Sequence, residues 1–353
     1  HNRCRRQRQM CIRDRSGLVN LMRQIREVSN IDPNGIPDEI LSSKEPVLLK
    51  NLVGHWPLVE AAKKSDSDII SYLREFDAKK PLTAMTGSPE IGGRIFYNED
   101  LSGFNFDYRR VSLEEVFQRL VECSEMANPP MIYVGSTNID NWLPGFRDRN
   151  DIFVQNQEPL ASLWIGNQSR VAPHYDFPTN IACSVAGRRR FTFFPPEQLE
   201  NLYVGPIDFS PAGQPISLVD ILNPDYAKFP KYKNAEDAAL FADLEIGDAV
   251  LVPSMWWHHV EAKDNLNVLV NYWWRTTPNY MGSPLNVLQH AILGLRDLPD
   301  DQREIWSNLF DYYVFNQRDE NISHIPKNAR GALNPMNEVI ASKIKNVLSD
   351  KFQ

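Results

Sequence analysis

The sequence predicts a mainly β domain of the sandwich or barrel type, entered through mixed helices and short strands and followed by a helical region. Three observations carry this prediction. From about Pro130 onward, short β-rich runs recur between Gly, Pro, Asn and Asp: MIYVGS, ASLWIGN, TNIACSVAG, RFTFFP, DAVLVP, WWHHVEA and NVLVNYWW. Before them, helical and extended patterns alternate. After Ser283-Pro284 the apolar residues return to helical spacing.

Taken in order, residues 17–29 place their apolar side chains at helical intervals, which predicts a helix. EPVLLKNLVGHWP, residues 45–57, reads as a short buried strand running into a turn. Ser112 and Glu115 form a capping box ahead of the amphipathic LEEVFQRLVEC, so a helix starts there. AGRRR, between two β runs, predicts a hairpin, and residues 197–243 mix helix-like and irregular connections. Ile305, Trp306, Leu309, Phe310, Tyr313 and Val314 make one apolar stripe. That stripe either closes the core or forms a dimer interface, and the expected oligomer is a homodimer.

The 353 residues suffice for one large domain with an appendage or for two ordinary domains. Hydrophobic residues are 42% and charged residues 24%, and no run of about 18 apolar residues exists to span a bilayer as a helix. The first fifteen residues hold six arginines and one aspartate without apolar periodicity. They read as a non-native or disordered extension, with a basic arm for nucleic acid as the alternative. The expected organisation is therefore an extension over 1–15, a β domain with its N-terminal elements over 16–283, and a helical region over 284–353. Without the extension's +5, the formal charge of −7 becomes about −12, which disfavours a phosphate backbone as partner. Cys123 and Cys183 form no CxxC pair or disulfide framework, so a reducing, cytoplasmic setting is expected.

The chemical signal is His174-Tyr175-Asp176, with His258 lying 82 residues beyond the aspartate. Side chains at i and i+2 of a strand leave one face, so His174 and Asp176 can grip one ion together. A third ligand must come from another strand, and His258 in WWHHVEA is placed to supply it. Two imidazoles and one carboxylate leave coordination positions open, which is the ligand set of non-haem Fe(II) oxygenases. His259 competes for the role, but neighbours on a strand point to opposite faces. It reads instead as a partly exposed residue or as one standing just behind the metal ligands.

With APHYDFPTN, FFPPEQLENLY, NPDYAKFPKY, PSMWWHHVEA and VNYWW in order and at matching spacing, residues 45–280 resemble the cupin-like jumonji-C (JmjC) 2-oxoglutarate/Fe(II) oxygenases. In these stretches it resembles in particular the asparaginyl hydroxylase of hypoxia-inducible factor. The resemblance implies a double-stranded β-helix, or jelly roll, and a dioxygenase that couples 2-oxoglutarate and O2 to hydroxylation, releasing succinate and CO2. It implies Fe(II) ligands at His174, Asp176 and His258. It also implies a co-substrate pocket in which Arg189 holds the far carboxylate, Tyr133 donates its hydroxyl, Asn180 and Asn271 line the walls and Trp273 closes one side.

Most relatives of this type carry lysine at the position of Arg189; arginine holds a carboxylate through two parallel hydrogen bonds. Two departures bear on function. Val171 stands where the resemblance expects a threonine that contacts the co-substrate. QPIS replaces the Arg and Gln that hold a protein substrate. The expected activity is hydroxylation of a protein side chain or a small molecule. The alternative is a metal-retaining cupin-like binding or regulatory protein without 2-oxoglutarate turnover.

Overall fold

The structure, a computed structural model, describes residues 12–13, 19–20, 23–211 and 213–351. Apart from the backbone of Ile12–Arg13, which pairs with Val19–Asn20, the extension expected over 1–15 lies outside these residues. The chain divides into two compact units, residues 1–275 and 276–353.

Eight strands form the core of the first unit: β1 (Leu160–Gly166), β2 (Ser169–His174), β3 (Thr179–Ala186), β4 (Arg189–Phe194), β5 (Leu240–Leu244), β6 (Ala249–Val252), β7 (Trp257–Ala262) and β8 (Asn267–Trp274). In space β6-β3-β8-β1 lie side by side within a nine-stranded sheet, and β5-β4-β7-β2 within a six-stranded one. Every connection except β4 to β5 carries the chain from one sheet to the other. This winding is the jelly roll, and it makes a cavity between two inner faces.

The predicted hairpin at AGRRR is thus corrected. β3 pairs with β6 and β8, and β4 pairs with β5 and β7, so the turn crosses between sheets. Gly187 makes the crossing at φ 71°, where a Cβ would sit 2.3 Å from Asn267 Oδ1 and 2.8 Å from the Leu266 carbonyl oxygen.

Seven of the eight residues of β3 are buried because both faces of the larger sheet are covered. Ile181, Cys183 and Val185, with Val268, Val270 and Tyr272 of β8, pack against Leu58, Ile70, Leu73, Phe117 and Leu120. Those last five come from helices Pro57–Ala62, Asp66–Arg74 and Leu113–Ser124, the last opened by the capping box of Ser112 and Glu115. The alternate residues of β3 face inward.

The helix predicted over 17–29 is also corrected: Val19–Asn20, Arg23–Gln24 and Arg26–Ser29 are strands. Arg26–Ser29 pairs in parallel with Val47–Lys50, which in turn pairs with β6, and Arg23–Gln24 pairs with β5. Sheet-edge pairing overrides the local helical spacing. Strands Met131–Asn138 and Leu82–Gly87 extend the larger sheet past β1, and Arg94–Ile95 extends the smaller one past β2.

The second unit carries helices Pro284–Leu295, Asp300–Phe310 and Glu338–Lys351. The stripe runs along the second of these and into a π turn at Asp311–Phe315. Ile305, Trp306, Tyr313 and Val314 are exposed. No helix among the described residues is long and apolar enough to cross a membrane.

Candidate metal centre and adjoining cavity

His174 closes β2 and His258 is its register partner on β7. Their rings lie 4.3 Å apart between centroids, with planes at 52°. Between Val171 and His174 the β2–β7 register slips by one residue, a bulge that turns both side chains toward the cavity and Ala172 away from it.

Asp176 is not a strand residue, which corrects the simple i, i+2 picture; it stands two positions past the end of β2. Its orientation comes from contacts across the connections. The Tyr175 ring turns away onto Trp257, 4.9 Å between centroids, and the Asp176 carbonyl accepts the Met255 N–H at 2.9 Å. The Ser254 hydroxyl donates to the Phe177 carbonyl at 2.5 Å. The segment bearing the aspartate is thereby tied to the turn that leads into His258.

One ligand atom from each of His174, Asp176 and His258 falls within 4.8 Å of the others. Each imidazole is oriented by its Nδ1, 2.9 Å from the Ala172 carbonyl in one case and from the Trp256 carbonyl in the other. A carbonyl can only accept, so Nδ1 carries a proton and Nε2 is the ring atom turned to a metal. The His258 Nε2 lies 3.8 Å from Asp176 Oδ2. Burial, reinforced by His174, pushes the His258 pKa down to about 4, so the ring is neutral at pH 7. Two imidazoles and a carboxylate, converging from one side, fit a divalent iron ion.

His259 takes the opposite face of β7, in register with Thr192, and does not belong to the cluster. It is buried, however, at 4% exposure, which corrects the expectation of partial exposure. Its Nδ1 has no hydrogen-bond partner, and burial, then the charge of Arg170, pushes its pKa down to about 3.

A cavity of about 260 Å³ opens beside the three ligand residues, close to the lower end of the usual small-molecule range. Tyr133, Asn180, Arg189, Asn271 and Trp273 all line it. Arg189 is buried at 4% exposure; burial lowers its guanidinium pKa to about 10, with only Tyr133 opposing, and its Nε has no partner. Its neighbours Arg188 and Arg190 face the other way and pair with Asp264 and Asp243. Along β4, Arg189 stands four residues from Phe193, the register partner of His258. At about 3.3 Å per residue that separates the two levels by ~13 Å, a gap that a guanidinium arm and a five-carbon diacid fill together.

Burial keeps the Tyr133 phenol protonated, hence a donor. The Asn271 amide donates to Asn180 Oδ1 at 3.1 Å, leaving Asn271 Oδ1 unpartnered; the indole N–H groups of Trp164 and Trp273 are also buried without partners. Such orphaned groups lining a cavity fit a polar ligand, and a buried arginine without a carboxylate fits an anionic one. Val171 lines the same cavity and offers no hydroxyl. Trp164, missed from sequence, shares the inner face of β1 with Ser162, the register partner of Asn271, so strand alternation carried the signal.

A jelly roll with two histidines and an aspartate converging beside its internal cavity is a protein of the cupin class. The chain belongs to the family described as the cupin-like domain, whose profile matches residues 33–280. It is 26% identical over 265 residues to HSPB1-associated protein 1 of Homo sapiens, covering 70% of this chain and 51% of that protein. It is 25% identical over 265 residues to JmjC domain-containing protein D of Dictyostelium discoideum, covering 69% and 55%. To Lysine-specific demethylase JMJ31 of Arabidopsis thaliana it is 32% identical over 123 residues, covering 35% and 22%. The chain spans about half the length of the first two.

Proposed function

We propose that this protein is an Fe(II)- and 2-oxoglutarate-dependent dioxygenase that hydroxylates a protein side chain or a small molecule. The observation that carries the reading is the buried Arg189 facing the same cavity as the His174, Asp176 and His258 cluster. An isolated buried cation is costly, and a bound carboxylate answers it.

Iron with 2-oxoglutarate and O2 would supply oxidative decarboxylation to succinate and CO2 together with hydroxylation of a substrate C–H bond. His174, Asp176 and His258 would hold the ion beside the cavity that they line. Arg189 clamps the far carboxylate through two parallel N–H donors, and Tyr133 adds its hydroxyl proton. Asn180 fixes the Asn271 amide, so the free Asn271 oxygen is presented in one orientation. The indole of Trp273 walls the pocket and limits water around the reacting centre.

The test is succinate formation from 2-oxoglutarate in the presence of Fe(II) and O2, measured for the wild type and for Asp176→Ala. Turnover that needs iron and is lost in the variant supports the dioxygenase. A folded wild type that binds metal without producing succinate points to the binding or regulatory reading, in which Val171 and Arg189 have altered the co-substrate pocket.

A further inference from the structure

The cavity's charges specify what else it admits. Of the described residues lining it, Asp176 is the sole carboxylate and Arg189 the sole permanently charged cation. If the site works as proposed above, a divalent ion and Arg189 contribute three positive charges, while Asp176 and dianionic 2-oxoglutarate contribute three negative ones. The loaded site is neutral, so no counter-charge remains for a substrate cation.

The rest of the lining gives the same answer. Met85, Ile95, Val171, Val260, Leu269 and Pro211 are apolar, and the remaining lining hydroxyls, Ser136 and Ser169, are uncharged. Part of this wall is contiguous: Met85 is the register partner of Tyr133, Val171 lies between Ile95 and Val260, and Met85, Ile95, Tyr133 and Val171 share one apolar cluster. Tyr133, Trp164 and Trp273 stand in edge or tilted pairs 5.9 and 5.8 Å apart, which resembles a cage for a methylated ammonium. Cation–π attraction is worth about 0.5–2 kcal/mol. Burying an unpaired cation costs more, and the buried guanidinium of Arg189 acts on Tyr133 of that same group of rings.

We infer that the group oxidised in this cavity is an uncharged, largely apolar carbon centre, and that methylammonium and guanidinium side chains are excluded. This inference rests on the dioxygenase reading and names its substrate class.

The test uses Mn(II) as a paramagnetic stand-in for iron, with the full chain and saturating 2-oxoglutarate. Water-proton relaxation first establishes that ion and co-substrate are bound; failure at this step would overturn the proposed function rather than the inference. tert-Butanol and tetramethylammonium, near-isosteric neutral and cationic probes, are then placed in one tube. Paramagnetic relaxation of their methyl protons is compared with that in the Zn(II)-loaded protein. The expected result is at least about tenfold greater enhancement for tert-butanol, corresponding to ~1.4 kcal/mol of preference. Equal or greater enhancement of tetramethylammonium overturns the inference. So does a tert-butanol signal no larger than the zinc background, because the apolar subsite would then not exist.

Discussion

His174 and His258 face each other across paired strands with ring centroids 4.3 Å apart, each ring held by Nδ1 to the carbonyl two residues earlier. The repeated bond presets both tautomers before any ion arrives. Little reorganisation is then needed on binding, which favours affinity. The site is also buttressed from outside, since the Tyr175–Trp257 contact fixes the residues adjoining Asp176 and His258.

Arg189→Met should stabilise the metal-free protein while weakening co-substrate binding. The arginine is buried and its pKa is lowered by burial, so its charge opposes folding until a carboxylate reaches it. Replacing it with an apolar chain of similar length should raise stability by about 1–3 kcal/mol, read from urea midpoints. The KM for 2-oxoglutarate should rise sharply in the same variant. Lower stability together with unchanged KM would return Arg189 to a packing role.

Val171→Thr should tighten co-substrate binding. The bulge in β2 turns this side chain into the cavity, and threonine adds one hydroxyl at nearly the same volume. One new hydrogen bond, about 0.5–1.5 kcal/mol, corresponds to roughly a two- to tenfold lower KM for 2-oxoglutarate. An unchanged KM would place the co-substrate out of reach of this position.

Acid should destabilise the metal-free protein through two buried histidines. The folded pKa values of His258 and His259 lie at about 4 and about 3, below the unfolded value near ~6.5. The unfolded chain therefore gains protons first. Stability from each group is present above pH ~6.5 and is lost as pH falls toward 4 and 3, at about 1.4 kcal/mol per pH unit for each group. His259→Gln, which spares the metal cluster, should flatten the slope of urea midpoint against pH; parallel curves would contradict the assignment.

Gly187→Ala should cost more than about 1 kcal/mol, because the residue is at φ 71° and the new Cβ meets the Leu266 and Asn267 oxygens. The same turn aims Arg189, so the KM for 2-oxoglutarate should rise as well. A thermally neutral variant would mean that the crossing between sheets adjusts freely.

Much of the core was legible because its strands obey a period of two and end at Gly, Pro, Asn or Asp. The runs from MIYVGS to NVLVNYWW all became strands. His174 and His258 could be matched by alternation. Asp176 faces the cluster for a different reason, since contacts beyond β2 place it there. The bulge at Val171 to His174 is set by pairing with β7 and leaves no local trace. The same holds for residues 17–29, whose helical spacing yields to pairing with Val47–Lys50 and β5, and for AGRRR, where the turn was visible but its crossing between sheets was not. His259 is buried by what packs on the outer face of β7, information that alternation along one strand does not hold.

On the proposed reading, one cavity holds iron through His174, Asp176 and His258 and the far carboxylate of 2-oxoglutarate through Arg189. Anaerobic titration of the metal-free protein with Fe(II) and then 2-oxoglutarate tests it most directly, by the visible charge-transfer band of the chelate. The expected result is a band that saturates at one equivalent of iron and disappears in Asp176→Ala. Folded wild-type protein that binds Fe(II) but develops no band with 2-oxoglutarate would contradict it.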